Sequence, residues 1–332
     1  MRALVTGGTG FIGGHLVRVL LRQGTQVRIL HRPTSDTSTL GDLPVDWIPG
    51  DLSDPASLKK AVHGMDLVFH LAADLRMAVP RPRRMHRTNV DGTVELLRAA
   101  RDAGVSRIVC TSSAVTVKCS EEHLGSERDF VEPGECRSTY QLTKVLAERA
   151  VWEMIRDGAP ITIVNPSTVI GGQDRRPTPT GRLIADFLEG RLPGYLDALL
   201  NWVCVEDVAM GHWLAATKGR VGERYLLCKE TLTLAQFLQI LSDVADRPMP
   251  AMKIPYAVAY LAGIFGTAWT RLTHREPQAT LDGVRMAAMP MRYDGSKARE
   301  ELELPQTPIR TGVERAVEWF RSDEYATRGG SR

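Results

Sequence analysis

Residues 2 to 31 read RALVTGGTGFIGGHLVRVLLRQGTQVRILH, and this stretch decides the fold class. Ala3 to Thr6 is a short apolar run that suits a buried parallel strand. Gly7, Gly10 and Gly13 follow with the spacing G-x-x-G-x-x-G. Leu16, Val17, Leu20 and Leu21 recur at helical spacing, and Gly24 stands where a helix would stop. Val27 to Leu30 is a second apolar run. Strand, glycine turn, helix and strand in this order predict a βαβ unit. The first glycine permits a tight turn with positive φ. The second lets the backbone approach a pyrophosphate, and the third lets helix and strand pack closely. The start of the helix then offers unpaired N–H groups to phosphate. A glycine loop that only turns the chain is the plain alternative, and the full context argues against it.

The chain has 332 residues, enough for one large domain or two smaller ones. Hydrophobic residues make up 43% and charged residues 24%, an ordinary globular composition. A net charge of +3 gives no reason to expect a nucleic-acid partner. Cys110, Cys119, Cys136, Cys204 and Cys228 include no C-x-x-C pair and read as reduced thiols of a cytoplasmic protein. The first strand begins beside Met1, so no signal peptide is expected. The histidines form no H-x-x-x-H pattern, and no metal site is expected.

No Asp or Glu occurs from Val27 to Ser35. At the end of the second strand, Arg32 either pairs with a 2′-phosphate, favouring NADP(H) over NAD(H), or is a solvated surface arginine. Val45 to Pro49 reads as a third strand, with Asp51 and Leu52 just past its end. Asp54-Pro55 predicts an N-cap and first helical position. Asp66 to Leu71 is a fourth strand, running into Ala72-Ala73, where small residues let a cofactor lie against backbone. His70 reads as a packed strand residue rather than a catalyst. The basic stretch 74–87 carries Arg76, Arg81, Arg83, Arg84 and Arg87. It either flanks an anionic group or is a solvated loop. Asn89 is expected to open the next helix.

Arg107 to Thr111 is a fifth strand, followed by Ser112-Ser113-Ala114. Tyr140 and Lys144, four apart, share one face of a helix expected to run to about Arg156. The pattern Y-x-x-x-K is common by chance. It gains meaning 27 residues after a strand-end serine in a dinucleotide-binding context. Ile161 to Val164 is a sixth strand, ended by Asn165-Pro166-Ser167-Thr168 because proline cannot donate to a ladder.

This alternation predicts an α/β fold: a Rossmann-type doubly wound parallel sheet with a smaller C-terminal substrate-binding α+β domain. The expected NADP-binding domain is 1–171 plus 201–228. The expected substrate-binding domain is 172–200 and 229–322, and 323–332 is expected to be a flexible tail. Asn201 to Val205 and Tyr225 to Cys228 are expected to return to the sheet, with Asp207 capping the helix between them. Leu234 to Ala245 reads as a helix. Thr311-Gly-Val-Glu314 reads as a capping box before a last helix ending near Phe320. Ile254 to Thr270 holds no charged residue over 17 positions. It is slightly short for a membrane span, and no transmembrane segment is expected. It reads as a packed helix, as a wall or lid for an apolar substrate, or as a membrane-surface contact.

Together these residues resemble the extended short-chain dehydrogenase/reductase family, of the NAD-dependent epimerase/dehydratase type, over nearly the whole chain. Its marks are Thr6 to Gly13, Asp51-Leu52, His70-Leu-Ala-Ala73, Asn89-Val-Asp-Gly-Thr93, Ser112-Ser113-Ala114, Tyr140-x-x-x-Lys144 and Asn165-Pro166-Ser167. Pro177-Thr-Pro-Thr-Gly-Arg182, Gly190-Arg-Leu-Pro193 and Gly283-Val-Arg-Met286 are similar to bacterial dihydroflavonol 4-reductase-like proteins and to the group called hopanoid-associated sugar epimerases. The resemblance implies that Gly7, Gly10 and Gly13 line the pyrophosphate, with amides from Phe11 and Ile12. It implies Asp51 at the adenine amino group and Leu52 on the ring. Leu71, Ala72, Ala73 and Asn89 would lie along the cofactor, and Pro166 and Ser167 would border the nicotinamide. Tyr140 would exchange the proton, Ser113 would hydrogen-bond the substrate oxygen and Lys144 would bind the nicotinamide ribose. The ammonium and the oxidised nicotinamide are expected to lower the tyrosine pKa from its ordinary value near 10. Cys204 stands where relatives often carry His, a departure on the substrate side. Helices near 91–103 and 141–156 often pair subunits in this family. Val94, Leu97, Val145, Trp152 and Ile155 therefore mark either a homodimer face or the core of a monomer.

The expected function is NADP(H)-dependent reduction of a ketone, or oxidation of a secondary alcohol, on a fairly apolar and ring-shaped small molecule. One alternative is a nucleotide-sugar epimerase that retains NAD(H) and grips a diphosphate through Arg182 and Arg285. The other is a non-catalytic NADP-binding sensor.

Overall fold

Side chains on a strand alternate between its two faces. Ala3 and Val5 enter one core and Leu4 enters another, so the first strand is covered on both sides. The computed structural model describes residues 1–38, 40–75, 82–273 and 280–328. The chain runs β1 (Arg2–Thr6), α1 (Phe11–Arg22), β2 (Gln26–His31), β3 (Val45–Pro49), α2 (Pro55–Val62), β4 (Leu67–His70), α3 (Pro82–His86), α4 (Gly92–Asp102), β5 (Arg107–Thr111), α5 (Thr139–Arg156), β6 (Ile161–Pro166) and β7 (Thr168–Ile170). It continues through α6 (Pro179–Leu188), β8 (Leu199–Cys204), α7 (Val205–Thr217), β9 (Arg224–Leu227), β10 (Glu230–Thr233), α8 (Leu234–Ala245), α9 (Tyr256–Thr273), α10 (Leu281–Ala287), α11 (Ser296–Glu301), α12 (Ile309–Arg321) and α13 (Asp323–Arg328).

The main sheet has the order β3-β2-β1-β4-β5-β6-β9, with every pairing parallel. The direction of strand succession reverses between β1 and β4, where open α/β sheets bind ligands. α1 and α7 cover one face, with Leu16, Leu20 and Val208 packed on Ala3 and Val5. α2, α4 and α5 cover the other, through Leu58, Leu96 and Val151 on Leu4, Val68 and Ile161. This is the Rossmann-type α/β architecture read from the sequence.

A second, three-stranded sheet has the order β10-β8-β7, with β8 antiparallel to β10 and parallel to β7. α6, α8 and α12 build a separate core on it, centred on Trp202 stacked against Phe237 at 3.8 Å between centroids. β9 takes the edge of the main sheet beside β6, but β8 stays in the small sheet. The expected return of 201–228 to the main sheet is therefore made by β9, not by the strand at 201–205.

Other local expectations change. Asn89 does not open a helix: α3 continues through a π-helical turn at Arg87–Asp91 into α4, and Asn89 sits inside that run. Arg83, Arg84 and Arg87 are exposed on it, while Arg76 and Arg81 lie outside the described residues. Asp207 caps nothing. Its carboxylate accepts from the Thr307 N–H and hydroxyl at 2.7 Å each. The capping box at 311–314 is absent because α12 begins earlier, at Ile309. The first part of the expected flexible tail is helical. In α13, Glu324 pairs with Arg175 at 2.6 Å, and Tyr325 packs edge-on against Phe320; residues 329–332 lie outside the described residues. Asp54 does cap α2, accepting from the Ala56 N–H at 3.0 Å with Pro55 next to it.

Phe237 is fully buried in the small core. Phe237→Ala is expected to cost about 3–5 kcal/mol through lost contact and a residual cavity. Denaturant unfolding of the apoprotein reads this, and a loss under ~1 kcal/mol would show that the stacked pair carries little of that core.

Candidate active site

The site begins where β1 turns into α1. Gly7 has φ +75°, and a Cβ there would lie 2.7 Å from the Ala72 nitrogen. A Cβ on Gly13 would lie 2.1 Å from the Gly7 carbonyl oxygen. Three backbone segments thus meet too closely for any side chain. Gly10 starts α1 with no side-chain cap, and the first turn, which holds Phe11, Ile12 and Gly13, carries no acidic residue. Its leading amides are available to an anion.

Beneath this turn a buried polar chain ties strand ends together. The Thr6 hydroxyl donates to His70 Nδ1 at 2.8 Å. Thr93 donates to the Asn89 carbonyl at 2.8 Å, so its oxygen accepts from His70 Nε2 at 2.8 Å. His70 is therefore the neutral Nε2–H tautomer, and burial pushes its pKa down to about 3. Asn89 spends its polar atoms on the protein: Oδ1 accepts from the Asp74 N–H at 2.7 Å, and Nδ2 donates to the Asp74 carbonyl and Thr143. It braces the loop after β4. Leu71 and Ala72 are half-buried and Ala73 is exposed.

Past the end of β3, Asp51 accepts from the Ser53 hydroxyl at 2.6 Å and its N–H at 2.9 Å. Those bonds hold its carboxyl below the usual range, with Arg32 and Arg84 adding to the effect. Leu52 is buried against Gly92. Arg32 is exposed after β2. The next acid, Asp36, is turned to Ser38, whose N–H donates to it at 3.0 Å.

Ser113, Tyr140 and Lys144 converge from β5 and α5. Ser113 is the polar side chain beside the buried Tyr140 hydroxyl. Burial pushes the phenol up to about 12, and the neighbouring Ser113 side chain works in the other direction. The expected lowering depends on an oxidised nicotinamide beside the phenol, and burial acts against it. Lys144 Nζ is directed to the Thr111 carbonyl at 2.9 Å, and burial lowers its pKa. Met85, Val115, Leu226, Met286, Met291 and Tyr293 form an apolar cluster with Tyr140. Pro166 is buried at the end of β6, and the Ser167 hydroxyl is buried with no protein partner.

Glu148 went unnoticed in the sequence, although it continues the four-residue spacing of Tyr140 and Lys144. One carboxylate oxygen accepts from Ser112, from Thr116 at 2.8 Å and from Asn165 Nδ2 at 2.8 Å. The other accepts from Arg224 at 2.7 Å, and both charged groups are buried. Arg224 also donates to the Glu127 and Asp129 carbonyls and lies over the Phe130 ring. Cys204 is accounted for differently than expected. Its thiol contacts the Thr307 and Pro308 carbonyls and Gly312, a packing role under α12. Arg285 packs on Tyr260 and Arg182 is exposed on α6. On the helices expected at a dimer face, Leu97 and Val145 are core residues, while Val94, Trp152 and Ile155 are half-buried.

The cradle at Gly7 and Gly13, the uncapped α1 and the partnerless Ser167 hydroxyl fit a nicotinamide dinucleotide. The profile of the NAD dependent epimerase/dehydratase family matches residues 3–228. The chain belongs to this family. Within it, a Synechocystis protein provisionally named a dihydroflavonol 4-reductase is 38% identical over 97% of this chain and 95% of its own length. Sterol demethylase protein B of Methylococcus capsulatus is 36% identical over 97% of this chain and 98% of its own. The crystal structure of gox2253 superposes with a TM-score of 0.86 at 38% identity, covering 96% of this chain and 98% of that one. The family and these relatives make the chain an enzyme of the oxidoreductase type.

His70 stays neutral in the folded protein to about pH 3, while an unfolded histidine takes up a proton near pH 6.5. Its contribution to stability is therefore present above that range and lost on acidification. His212, pushed down to about 4, acts in the same sense, and Asp174, pushed up to about 6, acts in the opposite one. The comparison with His70→Gln isolates one proton. Between about pH 6 and 4 the variant is expected to lose stability less steeply than wild type, by ~1.4 kcal/mol per pH unit. Equal slopes would mean that His70 is charged in the fold.

Proposed function

We propose that the chain is an NADP(H)-dependent reductase of a fairly apolar, ring-shaped ketone, working in the reverse direction on the secondary alcohol. The observation that carries this reading is the Tyr140 phenol buried beside Ser113 in an apolar wall. When bound, the reduced nicotinamide supplies hydride to the carbonyl carbon. Tyr140 then gives its phenolic proton to the carbonyl oxygen. Its pKa of about 12 keeps that proton in place at neutral pH, which is the form reduction needs. Ser113 donates to the same oxygen and stabilises charge growing on it. Lys144 holds the nicotinamide ribose with donors not spent on Thr111. Gly7, Gly10, Phe11, Ile12 and Gly13 hold the pyrophosphate. Asp51 and Leu52 take the adenine, Leu71, Ala72 and Ala73 flank the cofactor, and Pro166 and Ser167 border the nicotinamide.

Several observations support the finer points. Arg32 is the first charged residue past β2, and Asp36 is engaged elsewhere, which favours a 2′-phosphate over bare ribose hydroxyls. The Met85, Met286 and Met291 side chains around Tyr140 favour an apolar substrate. Two relatives act, by their names, on a sterol and on a farnesylated quinoline oxide. The small sheet and its helices would form the substrate side, with the main sheet as the cofactor side. A nucleotide-sugar epimerase would need cations for a diphosphate, and Arg285 already packs on Tyr260. A DesIV double mutant of Streptomyces venezuelae, a dTDP-glucose 4,6-dehydratase solved with NAD bound, is 25% identical with a TM-score of 0.81 and keeps nucleotide-sugar chemistry as the comparison to test against.

Tyr140→Phe is expected to retain NADPH binding and to lower turnover of cyclic apolar ketones at least about a hundredfold. Unchanged turnover would remove Tyr140 from the chemistry. Arg32→Glu is expected to shift the ratio of kcat/KM for NADPH over NADH by about tenfold or more toward NADH, the worth of a charge-assisted contact. NAD that co-purifies, with no NADPH consumed across the ketone panel, would replace the reductase with the epimerase.

A further inference from the structure

Three hydrogen bonds converge on the backbone carbonyl of Ser113. The Thr116 N–H donates to it at 3.1 Å, the Thr116 hydroxyl at 2.8 Å and Asn165 Nδ2 at 3.1 Å. The first closes the short 3₁₀ turn Ala114–Thr116 that follows Ser113. A turn needs no more than that bond. The other two come from side chains that are shut away from water, with Thr116 3% exposed and Asn165 0%.

Both side chains bridge the same two groups. The Thr116 hydroxyl proton faces the Ser113 carbonyl and the Glu148 carboxylate at 2.8 Å each. Asn165 Nδ2 donates to Glu148 at 2.8 Å and divides its second proton between the Ser113 carbonyl and the Thr116 oxygen, the latter at 3.0 Å. Glu148 is itself fixed, since Arg224 donates to its other oxygen at 2.7 Å. Ser112, on the near side, donates its hydroxyl to the same carboxylate and its N–H to the Val164 carbonyl of β6 at 2.8 Å. Ser113 is therefore clamped from both sides against one buried charge. Its own side chain is held loosely, accepting from the Val115 N–H at 3.4 Å, beyond the ordinary range. One rotatable bond separates the serine oxygen from its backbone, so the backbone decides where that oxygen stands.

We infer that Thr116 and Asn165 are positioning residues, which carry the fixed Glu148 carboxylate onto the Ser113 carbonyl and so set the place of the Ser113 hydroxyl. The inference rests on the reductase reading, in which that hydroxyl donates to the substrate oxygen. A donor of this kind works within a few tenths of an ångström, and its displacement costs turnover without touching the affinity for cofactor.

The test is a double-mutant cycle on the full chain, with NADPH and the cyclic apolar ketone that wild type reduces fastest. Thr116→Val keeps the branched shape and removes the hydroxyl, while Ser112, Asn165 and Arg224 still hold Glu148. It is expected to lower kcat about tenfold with Kd for NADPH unchanged. Thr116→Ser is expected to restore kcat to within about twofold, and in a Ser113→Ala background Thr116→Val is expected to add less than about twofold. Asn165→Thr shortens the other bridge and suits a strand, and the same pattern is expected of it. Its result stands even where Thr116→Val fails to fold. Wild-type kcat in the folded variants overturns the inference, as does a loss that persists in full without the Ser113 hydroxyl. Ser113→Ala with wild-type turnover is a separate failure: it removes Ser113 from the chemistry, and the inference falls with that reading.

Discussion

Glu148 leaves α5 on the same face as Lys144 and Tyr140, so one helix surface presents a phenol, an ammonium and a carboxylate. The carboxylate faces inward and meets Arg224 where both are shut away from water. Two buried charges are tolerated only when paired and hydrogen-bonded throughout. Here Ser112 and Thr116 after β5, Asn165 on β6 and Arg224 on β9 all close on the one carboxylate. Removing either charge would leave the other uncompensated at the centre of four elements. Ser113 follows Ser112 and Tyr140 lies two turns before Glu148, so the spacing of these two side chains is set by this knot.

The polarity of the site follows from the same burial. A phenol and an imidazole placed beside charges are commonly tuned toward neutrality, but Tyr140 and His70 are governed by desolvation. Tyr140 keeps its proton and His70 refuses one. The chain uses His70 as an uncharged spacer between two threonines rather than as a base.

The strand-turn-helix-strand opening was legible because its signals are local: runs of apolar residues and three glycines whose positions admit no Cβ. Ser113, Tyr140 and Lys144 were legible because helical spacing and strand ends can be counted. Glu148 obeyed the same count but lacked a visible partner, since Arg224 is 76 residues away in sequence. Asn89 misled for the opposite reason. Asparagine commonly starts helices, but the chain enters this helix earlier and buries the amide against Asp74. β8 carried the apolar pattern of a main-sheet strand, and periodicity cannot say which of two sheets will pair with it. α9 is the extreme case. A window of apolar residues reads as core, and only the fold reveals that its bulky members Leu261, Phe265 and Trp269 face outward.

The passage from Pro166 to Thr168 joins two sheets through a single residue. β6 ends at Pro166 in one, β7 begins at Thr168 in the other, and Ser167 donates its N–H to Leu227 of β9 at 3.1 Å. A joint this short has no slack. Whatever rests on it is referenced to both layers at once, so a shift of one layer would tilt the floor beneath the reacting carbon instead of sliding past it. The alignment of hydride donor and acceptor would then be a property of how the two halves of the molecule are mounted, and not of any one side chain.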